Sequence, residues 1–260
     1  MTRIAGIGLA LPFLLALASP AVAQDASDDW DLSTDPAMQL TLASLDFGAN
    51  ALALRCKGGV LDFLLTGVPA TAAESRTVQV TAGGIAGENQ TWQTQPGLPV
   101  LSASEPDRLA RQLRAGGELN LRIEPAQAGD RPQRFRLTVP PSAAALDQTL
   151  SACGASLADE WDLLPRAAGS ITWVETPRAD YPEAAVMSQI GMASVRLACI
   201  VPADGRLEEC RVLYEAPEGL GFGRSALAAV RNSRVALPAD DLSDVGKVVQ
   251  FTQRFVMPTN

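Results

Sequence analysis

The chain has 260 residues, 21 Lys and Arg against 29 Asp and Glu, a formal net charge of -8, and no histidine. The missing imidazole excludes a Ser-His-Asp or Cys-His triad, His-ligated zinc and a histidine pH switch. The acidic balance argues against nucleic acid and anionic membrane surfaces as main partners, while 47% hydrophobic and 19% charged residues fit a folded chain of one or two domains.

Residues 1–23 carry the pattern of a secretory signal. Arg3 supplies a short positive start, residues 4–18 are apolar, and Ser19-Pro20 precedes the small-residue site Ala21-Val22-Ala23. Cleavage after Ala23 is expected, leaving a soluble exported chain that begins at Gln24. The competing reading is an uncleaved inner-membrane anchor, because about 20 apolar residues can span a bilayer. Pro20 and the A-x-A site favour cleavage. Four cysteines, Cys56, Cys153, Cys199 and Cys210, then fall in an oxidising compartment. No Cys-x-x-Cys pair occurs, so neither a redox motif nor a cysteine-rich zinc site is supported. Spacing suggests Cys199 with Cys210, leaving Cys56 with Cys153; four buried free thiols is the alternative.

Residues 24–37 are polar and acidic (Asp25, Asp28, Asp29, Asp31, Asp35) and are expected to form a mobile arm. Residues 51–56 and 60–65 flank Lys57-Gly58-Gly59, the signature of a hairpin. Residues 76–81 alternate and stop at Gly83-Gly84. Residues 105–115 predict a helix, with Ser104 as N-cap, Pro106 in the first turn and Gly116-Gly117 as the stop. Residues 118–123 and 134–139 alternate again, and residues 143–153 predict a short helix. Residues 38–153 therefore read as a β-rich domain with one or two helices and no evident function. Residues 154–170 read as a linker, in which Asp159-Glu160 forms a solvated acidic turn.

A second domain is expected over residues 171–260. Tyr181-Pro182 and Glu183 open a helix that Gly191 ends. Residues 192–201 and 207–214 alternate about the turn Asp204-Gly205-Arg206. Pairing them about that turn sets Cys199 opposite Cys210, Leu197 opposite Val212 and Val195 opposite Tyr214, all on one face. A second helix carries Phe222, Ala226, Ala229 and Val230 on one side. Residues 247–257 form a last strand, with Val249, Phe251 and Phe255 sharing a face. The predicted class is α+β: a β-rich N-terminal domain, then two helices on a three-stranded antiparallel sheet in the order α-β-β-α-β.

Residues 172–260 resemble the C-terminal domain of TonB energy transducers. The resemblance is carried by Pro177, Tyr181-Pro182, Ala184-Ala185, Gly191 with Val195, Asp204-Gly205-Arg206, Val212, Ala226-Leu227 with Ala229, and Pro238-Ala239. The Gly-Phe-Gly before the second helix departs from the family's commoner Leu-Asp, and the cysteine pair occurs in only some members. The resemblance implies a TonB-like fold that binds a short peptide of an outer-membrane receptor along the edge of the last strand, by β-augmentation. The implied edge residues are Lys247, Val248, Gln250, Thr252, Arg254 and Val256, with Arg178, Ala179, Asp180 and Tyr181 nearby. An edge strand also offers unpaired N–H and C=O groups on purely physical grounds, including to a second copy of the chain.

A transducer needs an anchor with an intramembrane histidine and a long Pro-rich spacer, and this chain has neither. The function expected is therefore a non-catalytic periplasmic protein that binds a protein or peptide strand, linked to TonB-dependent outer-membrane transport. The alternatives are an anchored energy transducer and a structural envelope protein. No catalytic residue, metal ligand or cofactor is expected: Ser-x-x-Lys and Gly-x-Ser-x-Gly are both absent.

Overall fold

Period-two alternation governs most of the chain, and strands dominate the result. The computed structural model describes residues 30–127, 129–142, 144–167, 171–237 and 242–257. The expected signal, the arm residues Asp25, Asp28 and Asp29, and Pro238-Ala239 lie outside the described residues.

The first four strands are β1 (Asp31–Asp35), β2 (Leu40–Asp46), β3 (Ala51–Lys57) and β4 (Val60–Thr66). They form an antiparallel meander. β3 and β4 join through Gly58 and Gly59, both at positive φ (56° and 82°), the backbone that a two-residue hairpin demands. β5 (Ser75–Ala82), β6 (Ile85–Thr94) and β7 (Val100–Ser102) return toward β4. After α1 (Pro106–Leu113), β8 (Gly117–Ile123) and β9 (Gln133–Val139) extend the far side, and α2 (Ala144–Ala152) closes the unit. The nine strands form one sheet in the order β1-β2-β3-β4-β7-β6-β5-β8-β9. β5 buries every second side chain from Arg76 through Val78, Val80 and Ala82. The helices lie on that face, and Leu109, Leu113, Leu146 and Leu150 pack onto Leu52, Phe63, Val80 and Trp92.

Two expectations for this half are corrected. The arm expected at residues 24–37 does not extend that far: β1 pairs along its whole length with β2, and Trp30 is buried. The N-cap of α1 is Glu105, not Ser104, and its side chain makes no cap bond.

Residues between the halves do not form a solvated turn. A 3-10 turn, Glu160–Leu163, buries Trp161 and Asp162. Trp161 packs with Ala198 and Val248. Asp159 accepts the Trp161 N–H and binds Arg211, so the Asp159-Glu160 expectation is corrected.

The second half contains β10 (Trp173–Glu175), α3 (Glu183–Met187), β11 (Met192–Ile200), β12 (Glu208–Ala216), α4 (Phe222–Val230), β13 (Arg234–Val235) and β14 (Val248–Val256). β12, β11 and β14 form an antiparallel sheet with β11 in the middle, and β10 pairs with β13 in a sheet of two. Phe222, Ala226 and Val230 of α4 pack with Val195, Leu197, Val249 and Phe255. The β11–β12 register holds Leu197 opposite Val212 but shifts between Arg196 and Leu197, so Val195 faces Glu215 rather than Tyr214.

Strands take 43% of the described residues and helices 17%, which overturns the α+β expectation and the fold typed by a TonB-like domain. The architecture is mostly β. Among the described residues the four α-helices have eight, nine, five and nine residues and serve as covers on sheets. The expected α-β-β-α-β order is also interrupted by β13, which pairs back to β10.

Two disulfides are present, Cys56–Cys153 and Cys199–Cys210, with Cα separations of 5.5 and 4.1 Å. They follow the pairing suggested by spacing. Cys56–Cys153 ties β3 to the end of α2 across 97 residues, a constraint worth about 4 to 5 kcal/mol in the chain-entropy description. Two bridges are compatible with an exported protein. Among the described residues, no helix is long and apolar enough to cross a membrane.

Candidate partner-binding edge

β14 lies at the rim of the three-stranded sheet, and its hydrogen-bonding pattern determines which groups face outward. Just before β14, Lys247 C=O accepts the Val201 N–H; just after it, Met257 N–H donates to Gly191 C=O. Antiparallel ladders alternate bonded and non-bonded pairs, so odd-numbered residues bond β11 and even-numbered ones point away. Val248 N–H donates to Pro165 C=O and Val248 C=O accepts the Ala167 N–H, both at 2.9 Å. The linker thus covers the first outward position through a parallel bridge at Arg166. Beyond it, no strand pairs with the outer edge among the described residues.

The outward backbone groups of Gln250, Thr252, Arg254 and Val256 therefore form an open edge of roughly 20 Å. Lys247 is not part of this row. It precedes β14, its backbone is committed to Val201 and Asp244, and its ammonium sits 3.4 Å from Asp244.

The neighbouring residues separate into two groups. Tyr181 stacks edge-on against Phe222 and Phe255, and its hydroxyl donates to Ile190 C=O; it supports the rear of the sheet. Arg178 and Asp180 are exposed on the segment before α3, and neither lines the cavity beside β14.

That cavity has a volume of about 480 Å3 and runs along the start of the open edge. Gln250 and Thr252 form one wall, Asn89, Thr91 and Gln93 of β6 the other, and Arg196 reaches into it. A second cavity of about 380 Å3 lies toward α1 and the linker, and Arg196 and Gln250 line this one too.

The walls are held by charge pairs. Glu105 is buried and bound by Arg166 through both carboxylate oxygens. Arg108 makes a two-pronged contact with Glu88 at 2.5 and 2.9 Å and donates to Asp162 C=O. Arg111 holds Asp162 at 2.6 and 2.7 Å and Asp107 at 3.1 Å. Burial alone would lower the guanidinium pKa of both Arg108 and Arg111. The Glu88 and Asp162 hydrogen bonds respectively, with the surrounding carboxylates, more than offset this and raise both.

Arg196 differs. It sits mid-strand on β11, opposite Tyr214 on one side and Thr252 on the other. Its side chain makes no ion pair or hydrogen bond with the described residues, and its Nε is buried without a partner. Burial lowers its pKa, against weaker raising fields from Glu105, Asp107 and Tyr214. Arg196, Arg166, Glu105 and the β6 wall were not anticipated as site residues. One signal for Arg196 was available: Ala198 and Ile200 share its face of the strand, and apolar neighbours on the outward face indicate that this face is covered.

Among the described residues, no group of three or more His, Cys, Asp or Glu side chains is placed to hold a metal ion. No family model and no curated protein matches this chain.

Proposed function

We propose that the mature chain is an exported, non-catalytic binding protein of a Gram-negative-type periplasm. Its C-terminal sheet takes up an extended segment of a partner protein along the outer edge of β14. The observation that carries this reading is the open ladder at Gln250, Thr252, Arg254 and Val256, beside a cavity of about 480 Å3. An added strand gains main-chain hydrogen bonds there without displacing any pair of the existing sheet. The resemblance of individual residues in 172–260 to TonB C-terminal domains, apart from the fold, is what points to an outer-membrane receptor segment as the partner. The absence of histidine argues against proton-driven transduction by this chain itself.

Proline at position 250 tests the reading. The Gln250 N–H points outward, so Gln250→Pro removes an edge donor and leaves the β11 ladder bonds in place. The probe is a fluorescein-labelled peptide of alternating Thr and Val, nine residues long. Gln250→Pro is expected to abolish its binding while the melting temperature stays close to that of the parent chain, and Gln250→Ala is expected to bind within about twofold. Retained binding by a folded Gln250→Pro chain overturns the proposal. Concentration-dependent dimerisation lost in the same variant would replace the foreign partner with a second copy.

A further inference from the structure

We infer that the segment taken up by β14 carries an acidic side chain at the position paired with Thr252, and that Arg196 recognises its carboxylate. This inference rests on the reading of β14 as a strand acceptor and specifies the chemistry of what it accepts. Arg196 and Thr252 are directly opposite in the β11–β14 register, so their side chains share a sheet face. A residue added opposite Thr252 points to that same face. It stands two strand spacings from Arg196, about 10 Å, which a guanidinium and a Glu side chain can bridge together over the small Thr252.

Charge complementarity selects a carboxylate. The acids nearest Arg196 are already engaged: Glu105 by Arg166 and Arg108, and Asp107 by Arg111. Arg196 alone in this cluster carries a charge without a partner, at the junction of the two cavities. Arg196 is half-buried with its Nε buried and unpartnered; burying part of an unpaired cation is costly, and a carboxylate delivered by a bound strand compensates it. Arginine also suits the task, since its planar fork meets a carboxylate with two parallel N–H donors.

The test uses the full mature chain and two Thr-Val nonapeptides, identical except for Glu or Gln at the central position. The Glu peptide is expected to bind about tenfold or more tightly than the Gln peptide, the size of a charge-assisted hydrogen bond. Arg196→Gln is expected to reduce that preference to within about twofold. Arg196→Lys, which keeps the charge if Arg196→Gln fails to fold, is expected to retain an intermediate preference. Equal binding of both peptides to the parent chain, lost in Gln250→Pro, overturns the inference and leaves the edge reading standing. Binding of neither peptide overturns the edge reading first, and the inference falls with it. Millimolar phosphate that raises the melting temperature only when Arg196 is present, with no Glu preference, reassigns Arg196 to a free anion and overturns the inference.

Discussion

Asp159 shows how one side chain draws its ionisation from residues far away in sequence. Burial opposes its charge. The Trp161 N–H at 2.9 Å, Arg211 at 2.7 Å and the field of Arg111 outweigh that, so its carboxyl titrates below the ordinary range. The sign follows directly: a lowered folded-state pKa contributes stability above the unfolded value, and this is lost as pH falls through the folded value. Asp159→Asn is expected to melt below the parent chain at pH 7, with the two curves converging as pH falls below the ordinary carboxylate range. A constant gap across that range counts against the ion pair. Arg211 also lies 3.4 Å above the Trp161 ring, so one guanidinium holds both the carboxylate and the aromatic face. Nothing in the local sequence around Asp159 announces this. Its partners come from α1 and β12, which is why an acidic pair in an apparent linker reads as solvated.

At the scale of elements, the β11–β12 connection is the most constrained piece. Gly205 has φ of 76°, and a Cβ there would run into the Val235 carbonyl. The same Gly205 C=O accepts the Val235 N–H at 2.9 Å, so the turn and β13 brace each other. Gly205→Ala is expected to lower stability by at least about 2 kcal/mol, from left-handed strain plus the displaced carbonyl. Denaturant unfolding measures it, and a loss under about 0.5 kcal/mol would mean the turn relaxes freely. The turn and both flanking strands were legible from Asp204-Gly205 and the apolar alternation around it. The register was legible only in part. The alternation fixes which face is apolar, but the shift between Arg196 and Leu197 inserts no visible break in the residue pattern.

The whole molecule is held together by a segment that composition marks as a connection. Trp161 is buried against Ala198 and Val248, Arg166 reaches back to Glu105, and Pro165 and Ala167 bond the start of β14. The linker thus packs the second sheet against the first and shortens its free edge by one outward residue. Trp161→Ala is expected to cost about 3 to 5 kcal/mol and to speed tryptic cleavage after Arg166. Unchanged cleavage would show that the two sheets stay joined without the indole. The sequence by itself determined the strand runs at residues 51–56, 60–65, 76–81, 118–123, 134–139, 192–201 and 247–257, the Gly58-Gly59 hairpin and the exclusion of histidine chemistry, because each depends on residues a few positions apart or on composition alone, and it suggested the cysteine pairing. Only the tertiary structure decided that strands outweigh helices, nine of them in one sheet, that the outward row begins at Gln250, and that the Arg196 Nε is buried without a partner. Periodicity reports which residues share a face, whereas what covers a face or an edge is decided by segments that approach it from a distance along the chain.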